Sequence, residues 1–302
     1  MNTPVFEIQF DIDAAQVFPA REHQVAAKLN TGEVRNVIVL AHGWNNDREE
    51  ARTLFTNFLI AAESVDSPAL ANAIAIEVYW PSKKFAPQNQ IPGGAAAFPT
   101  PDRILNLSTY YVMKDRSAKI GTEGLNPFLA RLQAQSPVNI RYHLIGHSFG
   151  ARLVTAAADA PNRLRVDSLI LLQAAYSQNG LATNFDGKGA NGYFCKILTE
   201  QKIDGPILIT HTRNDKAVGL AYPLASRLNG CDSAHFGDAN DLFGGMGANG
   251  AQHVEAIELR LQSQGPYKFE KGKIYNLNGD AIIASHGDVA RPETAALLTS
   301  LL

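Results

Sequence analysis

The chain has 302 residues, 45% of them hydrophobic and 19% charged, with a formal net charge of −2. It is long enough for one large α/β domain over 1–302, and it lacks the basic field of a nucleic-acid binder and the composition of a disordered chain. Its two cysteines, Cys195 and Cys231, are too few for a disulfide framework and stand in no zinc-ligand spacing.

Val5 to Phe10 alternates apolar and polar residues and reads as a half-buried strand, which His23 to Leu29 is expected to pair. Asn36 to Ala41 is a short, β-branched apolar run of the kind buried on both faces of a parallel sheet. A helix follows from about Asp47 to Val65, then a second buried strand, Ala73 to Trp80. Residues 81–101 hold five of the 15 prolines and no periodicity, so they form an irregular excursion. A helix is predicted over much of Ser117 to Gln135, a strand at Tyr142 to Ile145, a helix at Phe149 to Asp159 and a strand at Val166 to Leu172. Further on come a Gly/Asn-rich loop at 177–192, a helix near Tyr193 to Gln201, a strand at Pro206 to Thr210 and a helix from Ala217 to Leu228. A second Gly-rich excursion spans 229–253, and a last strand lies near Lys273 to Leu277. Pro292 opens a C-terminal helix. Alternating strands and helices imply a mostly parallel central sheet with helices on both faces, and in such sheets reacting groups gather at the carboxyl ends of the strands.

Gly146-His147-Ser148-Phe149-Gly150 fits G-x-S-x-G. The bare pattern also arises by chance. Its setting singles it out: a strand precedes it and a helix follows. The sharp turn should strain Ser148 and expose its hydroxyl, and glycines at 146 and 150 remove side chains that would collide with the neighbouring strand and helix. The bland reading is a glycine-flanked strand end with a helix-capping serine. The amide of Phe149, at the helix start, is placed to donate to a developing oxyanion. A second donor is needed opposite it, and the loop His42-Gly43-Trp44-Asn45-Asn46 follows the first buried strand. The Trp44 amide is the choice for that donor. Gly43 allows close approach, and His42 is expected to hold the loop by hydrogen bonding.

A serine hydroxyl needs a base, and the base an orienting carboxylate. Where a G-x-S-x-G elbow carries the serine, they follow in the order Ser, Asp or Glu, His. Asp215 lies just past the strand Pro206 to Thr210; Asp204 precedes that strand, at the opposite edge, and Asp186 is the reserve. Of the histidines downstream, His286 follows the last strand, whereas His235 and His253 flank the Gly-rich excursion with no clear strand end before them. His147 is expected to pack or hydrogen-bond under the elbow. This chemistry needs no metal or cofactor.

On these residues the chain resembles the α/β-hydrolase superfamily from about Asn36 to its end. Within it, His-Gly-Trp-Asn-Asn, Tyr79-Trp-Pro-Ser82 and Leu144-Ile-Gly-His-Ser-Phe-Gly-Ala-Arg152 look like a poorly characterised bacterial branch of lipase- and esterase-like proteins. The resemblance implies ester or thioester hydrolysis and implicates Ser148, Asp215 and His286. The substrate is expected to be a small-molecule or lipid ester. A non-catalytic scaffold on the same fold and a secreted, lipid-attacking effector stand as alternatives. The two excursions, 81–101 and 229–253, are candidates for a lid or a partner surface. Phe85 and Phe98 in the first are expected to line the acyl site. No nucleic-acid partner and no transmembrane segment are expected. The chain start shows no signal peptide, so a cytoplasmic protein is expected, with signal-less export left open. The sequence says nothing of oligomeric state.

Overall fold

The computed structural model describes residues 3–83, 107–137, 139–219, 244–262 and 267–302. Their framework is one eight-stranded sheet in the order β1-β3-β2-β4-β5-β6-β8-β7, every neighbouring pair parallel. The strands are β1 (Val5–Gln9), β2 (Asn36–Ala41), β3 (Ala73–Tyr79), β4 (Arg141–His147), β5 (Ser168–Leu172), β6 (Ile207–His211), β7 (Ala256–Arg260) and β8 (Ile274–Asn278). Every residue of β2, β3, β5 and β6 is buried, as expected of strands covered on both faces.

Alternate side chains feed two cores. Ile38, Leu40, Ile145 and Ile170 point into one, with Phe55, Phe58 and Leu59 of α2 (Arg48–Asp66) and Ala295 to Leu298 of α8 (Pro292–Thr299). Val37, Val39, Leu144 and Leu169 point into the other, with residues of α1 (Ala20–Leu29), α3 (Leu107–Lys119), α4 (Asn126–Gln135) and α5 (Phe149–Asp159). Two short helices, α6 (Lys196–Thr199) and α7 (Met246–Asn249), belong to the connections. The helix α2 starts where Asp47 Oδ1 accepts from the amides of Glu49 and Glu50 while Glu50 Oε2 accepts from the Asp47 amide, a capping box.

Several sequence expectations change. His23 to Leu29 is not a strand beside β1 but part of α1, whose Val25, Ala26 and Leu29 are buried on one helical face. β1 pairs with β3 instead. The helix expected over 117–135 begins at Leu107 and contains a π-helical turn, Ile120–Leu125, between α3 and α4. There Gly121 packs so closely on α5 that an added Cβ would lie 2.3 Å from the Leu153 carbonyl oxygen. Only Lys196–Thr199 of the helix expected at 193–201 is regular. The helix predicted at 217–228 has begun at 216, and its part beyond 219 lies outside the described residues. The edge strand β7 was not expected.

The chain passes from β2 through α2 to β3 on one side, and from β4 through α5 to β5 on the other. The order therefore reverses between β2 and β4, which opens a crevice at their carboxyl ends.

Candidate active site

At that crevice β4 turns into α5 through Ser148, whose backbone is held at φ 58°, ψ −121°. A non-glycine residue pays for such a conformation in strain. Neighbours on every side fix it. The Ser148 amide donates to the Leu172 carbonyl at 3.0 Å, and its carbonyl accepts from the amides of Ala151 and Ala175, each at 3.1 Å. A Cβ on Gly150 would lie 2.2 Å from the Ala41 carbonyl oxygen, and one on Gly146 would lie 2.4 Å from the Gly150 backbone. Only glycine fits at either position. The Ser148 side chain makes no capping bond to α5, unlike an ordinary N-cap serine. The residue is only 5% exposed, not open to solvent as the elbow reading expects. Gly43 is part of the reason, because a Cβ there would stand 2.8 Å from Ser148 Cβ.

The loop after β2 is fastened from below. Trp80 donates its amide to His42 Nε2 at 3.3 Å and its indole N–H to the His42 carbonyl at 2.9 Å. His42 Nδ1 lies 2.9 Å from the Gly43 carbonyl. One neutral tautomer satisfies both ring nitrogens, with Nδ1–H donating and Nε2 accepting. Burial pushes this imidazole down to about 4, so it stays neutral. Asn45, at φ 63°, turns the loop and donates its amide to the Ser82 carbonyl at 3.1 Å. The rings of Trp44 and Phe149 meet edge-on at 6.2 Å. Among the described residues the amides of Trp44 and Phe149 donate to no backbone carbonyl.

The loops after β6 and β8 bring Asp215 and His286 together. His286 Nδ1 lies 2.7 Å from Asp215 Oδ2, with side chains 7% and 0% exposed. Asp215 also caps the helix that follows it, Oδ1 accepting from the Val218 amide at 2.9 Å. His147, next to Ser148 in the chain, donates from Nε2 to the His286 carbonyl at 2.9 Å, and the two rings are 4.8 Å apart. This bond joins the elbow to the His286 loop. Burial, and then the neighbouring His286, pull His147 down to about 3.

Sequence reasoning missed the residues that hold the Asp215 loop. Asp280 Oδ1 accepts from the Thr212 hydroxyl at 3.0 Å and the Arg213 amide at 2.8 Å. Asn214 Nδ2 donates to the carbonyls of Asp280 and Ile283 at 3.0 and 2.8 Å. The one signal for Asp280 was its place just after the last strand, in Asn278-Gly279-Asp280.

The other candidates stand apart. Asp186 shapes a surface turn, Oδ1 accepting from the amides of Lys188 and Ala190. Asp204 is exposed at the amino end of β6. His253 Nδ1 pairs with Asn179 Oδ1 at 2.8 Å. Phe85, Phe98, His235, Cys231 and most of both excursions lie outside the described residues. Among the described residues, no group of three or more His, Cys, Asp or Glu could hold a metal ion, and no helix is long and apolar enough to cross a membrane.

Residues 19–165 match the family described as "Alpha/beta hydrolase of unknown function (DUF900)". The match runs from α1 through α5, so it contains the His42 loop and Ser148 but not Asp215 or His286. No curated protein matches the chain. A crystal structure of TT1662 from Thermus thermophilus is similar at 12% identity over 89% of this chain and 87% of that one, with a TM-score of 0.39. Over residues 19–165 the chain is thus similar to an α/β-hydrolase family, and its all-parallel sheet wrapped by helices is consistent with the α/β-hydrolase fold.

Proposed function

We propose that the chain is a serine hydrolase that cleaves carboxylic esters through an acyl-enzyme. The observation that carries this reading is the buried His286–Asp215 pair, tied by His147 to the strained elbow that bears Ser148. Asp215 accepts the Nδ1 proton of His286, which leaves Nε2 as the basic nitrogen. In the proposed reaction Ser148 Oγ attacks the ester carbonyl carbon as its proton passes to His286 Nε2. The amides of Trp44 and Phe149 stabilise the oxyanion. Collapse breaks the bond to the alcohol, which leaves with the proton from His286. Water then attacks the acyl-enzyme, giving a proton to His286, and collapse breaks the bond to Ser148 Oγ, which takes that proton back as the acid is freed. Small-molecule and lipid esters both suit this chemistry.

A panel of esters of increasing acyl length, run on the wild type and on Ser148→Ala, tests the proposal. The wild type should show a preferred chain length, and the variant should lose turnover on every ester while keeping its fold. Equal turnover by the two proteins would exclude Ser148 as the nucleophile.

A further inference from the structure

Arg152 closes the motif that begins at Leu144, yet the proposed hydrolysis gives it no task. It lies on α5 four residues beyond Ser148, about 6 Å along the helix axis, and is only 4% exposed. A guanidinium is costly to bury unless a carboxylate and a full set of acceptors replace its water. Here the replacement is partial. Nε donates to the Lys114 carbonyl at 3.1 Å. The guanidinium carbon stands 4.7 Å from the ring centroid of Tyr193 and 5.1 Å from that of Phe194. Such contacts engage the faces of the cation. Among the described residues no carboxylate pairs with Arg152, and its two terminal nitrogens have no hydrogen-bond acceptor. Their edge of the fork is the one that grips two oxygens of an oxyanion side by side.

A second cation sharpens the point. Lys114, on α3, is half-buried, and no carboxylate among the described residues forms an ion pair with it. Burial, and then the Arg152 charge, hold its ammonium below the usual lysine range; Asp115 acts weakly in the other sense. The Lys114 ammonium stands 5.7 Å from the Tyr111 ring centroid, and the Lys114 carbonyl holds Arg152 Nε, so α3 and α5 bring the two cations to neighbouring positions where one anion between them would turn repulsion into attraction. We infer that Arg152 and Lys114 form a binding site for a phosphate group. A phosphate dianion matches two cations and offers oxygens to both, whereas a carboxylate would neutralise only one. Tyr193, 69% exposed, lies against the guanidinium and has little burial to lose by swinging aside. The phosphate is either free or carried by the ester that Ser148 attacks.

The test is a titration of the Ser148→Ala protein with inorganic phosphate, at ionic strength held constant with chloride. Binding is read by calorimetry and by Tm, without turnover, so failure of the hydrolase reading leaves this result intact. Saturable heat is expected, with a Tm that climbs with the logarithm of phosphate concentration. Arg152→Gln and Lys114→Gln should each weaken binding at least tenfold. Lys114 is half-buried, so its variant keeps the test alive if Arg152→Gln does not fold. A response to phosphate no larger than to chloride, or wild-type affinity in Lys114→Gln, overturns the site. Once phosphate binds, a phosphorylated ester and its neutral analogue separate the sources in the Ser148 protein. A KM raised at least tenfold by Lys114→Gln for the phosphorylated ester alone assigns the phosphate to the substrate; an equal KM change for both esters assigns it to the free ion.

Discussion

Around Ser148 close glycine contacts lock a hydrogen-bonded backbone in place, whereas around Asp215 and His286 side-chain hydrogen bonds tie one loop to the next. On the first side, Gly43, Gly146 and Gly150 let backbone and side chains approach within distances no Cβ allows, and Ser148 is left at a positive φ. On the second, Asp280 and Asn214 bind the β6 loop to the β8 loop through four bonds of 2.8 to 3.0 Å. Close contact tolerates no added atom, because repulsion rises steeply. A hydrogen-bonded loop can lose a partner and still fold, but its side chains then wander from where the chemistry needs them. Substitutions on the two sides should therefore fail in different ways.

The largest expected effect is on the second side. Asp215→Asn should cut turnover by about 10⁴-fold, through the wrong imidazole tautomer and loss of the carboxylate charge. Stability should change little, since the amide oxygen can still cap the helix at Val218. Turnover within tenfold of wild type would detach Asp215 from His286 in function.

Next comes acid. His42, His143 and His147 all lie on or just beyond β2 and β4, and burial holds them at about 4, 3 and 3. Each lies below the ordinary histidine value, so between about pH 6.5 and 4 the unfolded chain binds more protons than the folded one. Stability is full above about 6.5 and falls as pH drops, by up to about 4 kcal/mol per pH unit if all three contribute. A Tm series from pH 8 to 4.5 should show this slope beginning near 6.5; a level Tm down to 5 would contradict it.

Gly150→Ala should cost at least about 3 kcal/mol in urea unfolding, because the new methyl must displace the backbone of β2. A variant with the wild-type midpoint would break the contact account of the elbow. The smallest effect belongs to Asp280→Asn, at ~1.5 kcal/mol for weakened charge-assisted bonds. Its kcat should fall within tenfold and KM should hold, since only the placement of Asp215 loosens. A changed KM with constant kcat would move Asp280 into substrate binding.

What could be read in the sequence follows from the same physics. β2 and β3 announced themselves because strands covered on both faces are unbroken apolar runs. β7 did not: it is an edge strand whose residues are all at least partly exposed, and Glu258 and Arg260 interrupt its pattern. α1 was mistaken because Val25, Ala26 and Leu29 make only a narrow apolar stripe; Pro19, just before it, was the better clue. Ser148, Asp215 and His286 stand out as candidates because a parallel sheet gathers its strand ends at one edge. Asn214 meets the 280–283 turn across 66 and 69 residues, and Arg152 meets Lys114 across 38. No spacing rule anticipates such meetings, which depend on how loops and helices dock.

The central claim is that Ser148 is a nucleophile activated by His286. It is tested most directly by treating the folded protein with a fluorophosphonate and locating the adduct by peptide mass spectrometry. The account predicts one phosphonyl group per chain, on Ser148, none in Ser148→Ala, and labelling slowed by at least a hundredfold in His286→Ala. Label on another residue, or an unchanged rate in His286→Ala, would contradict it.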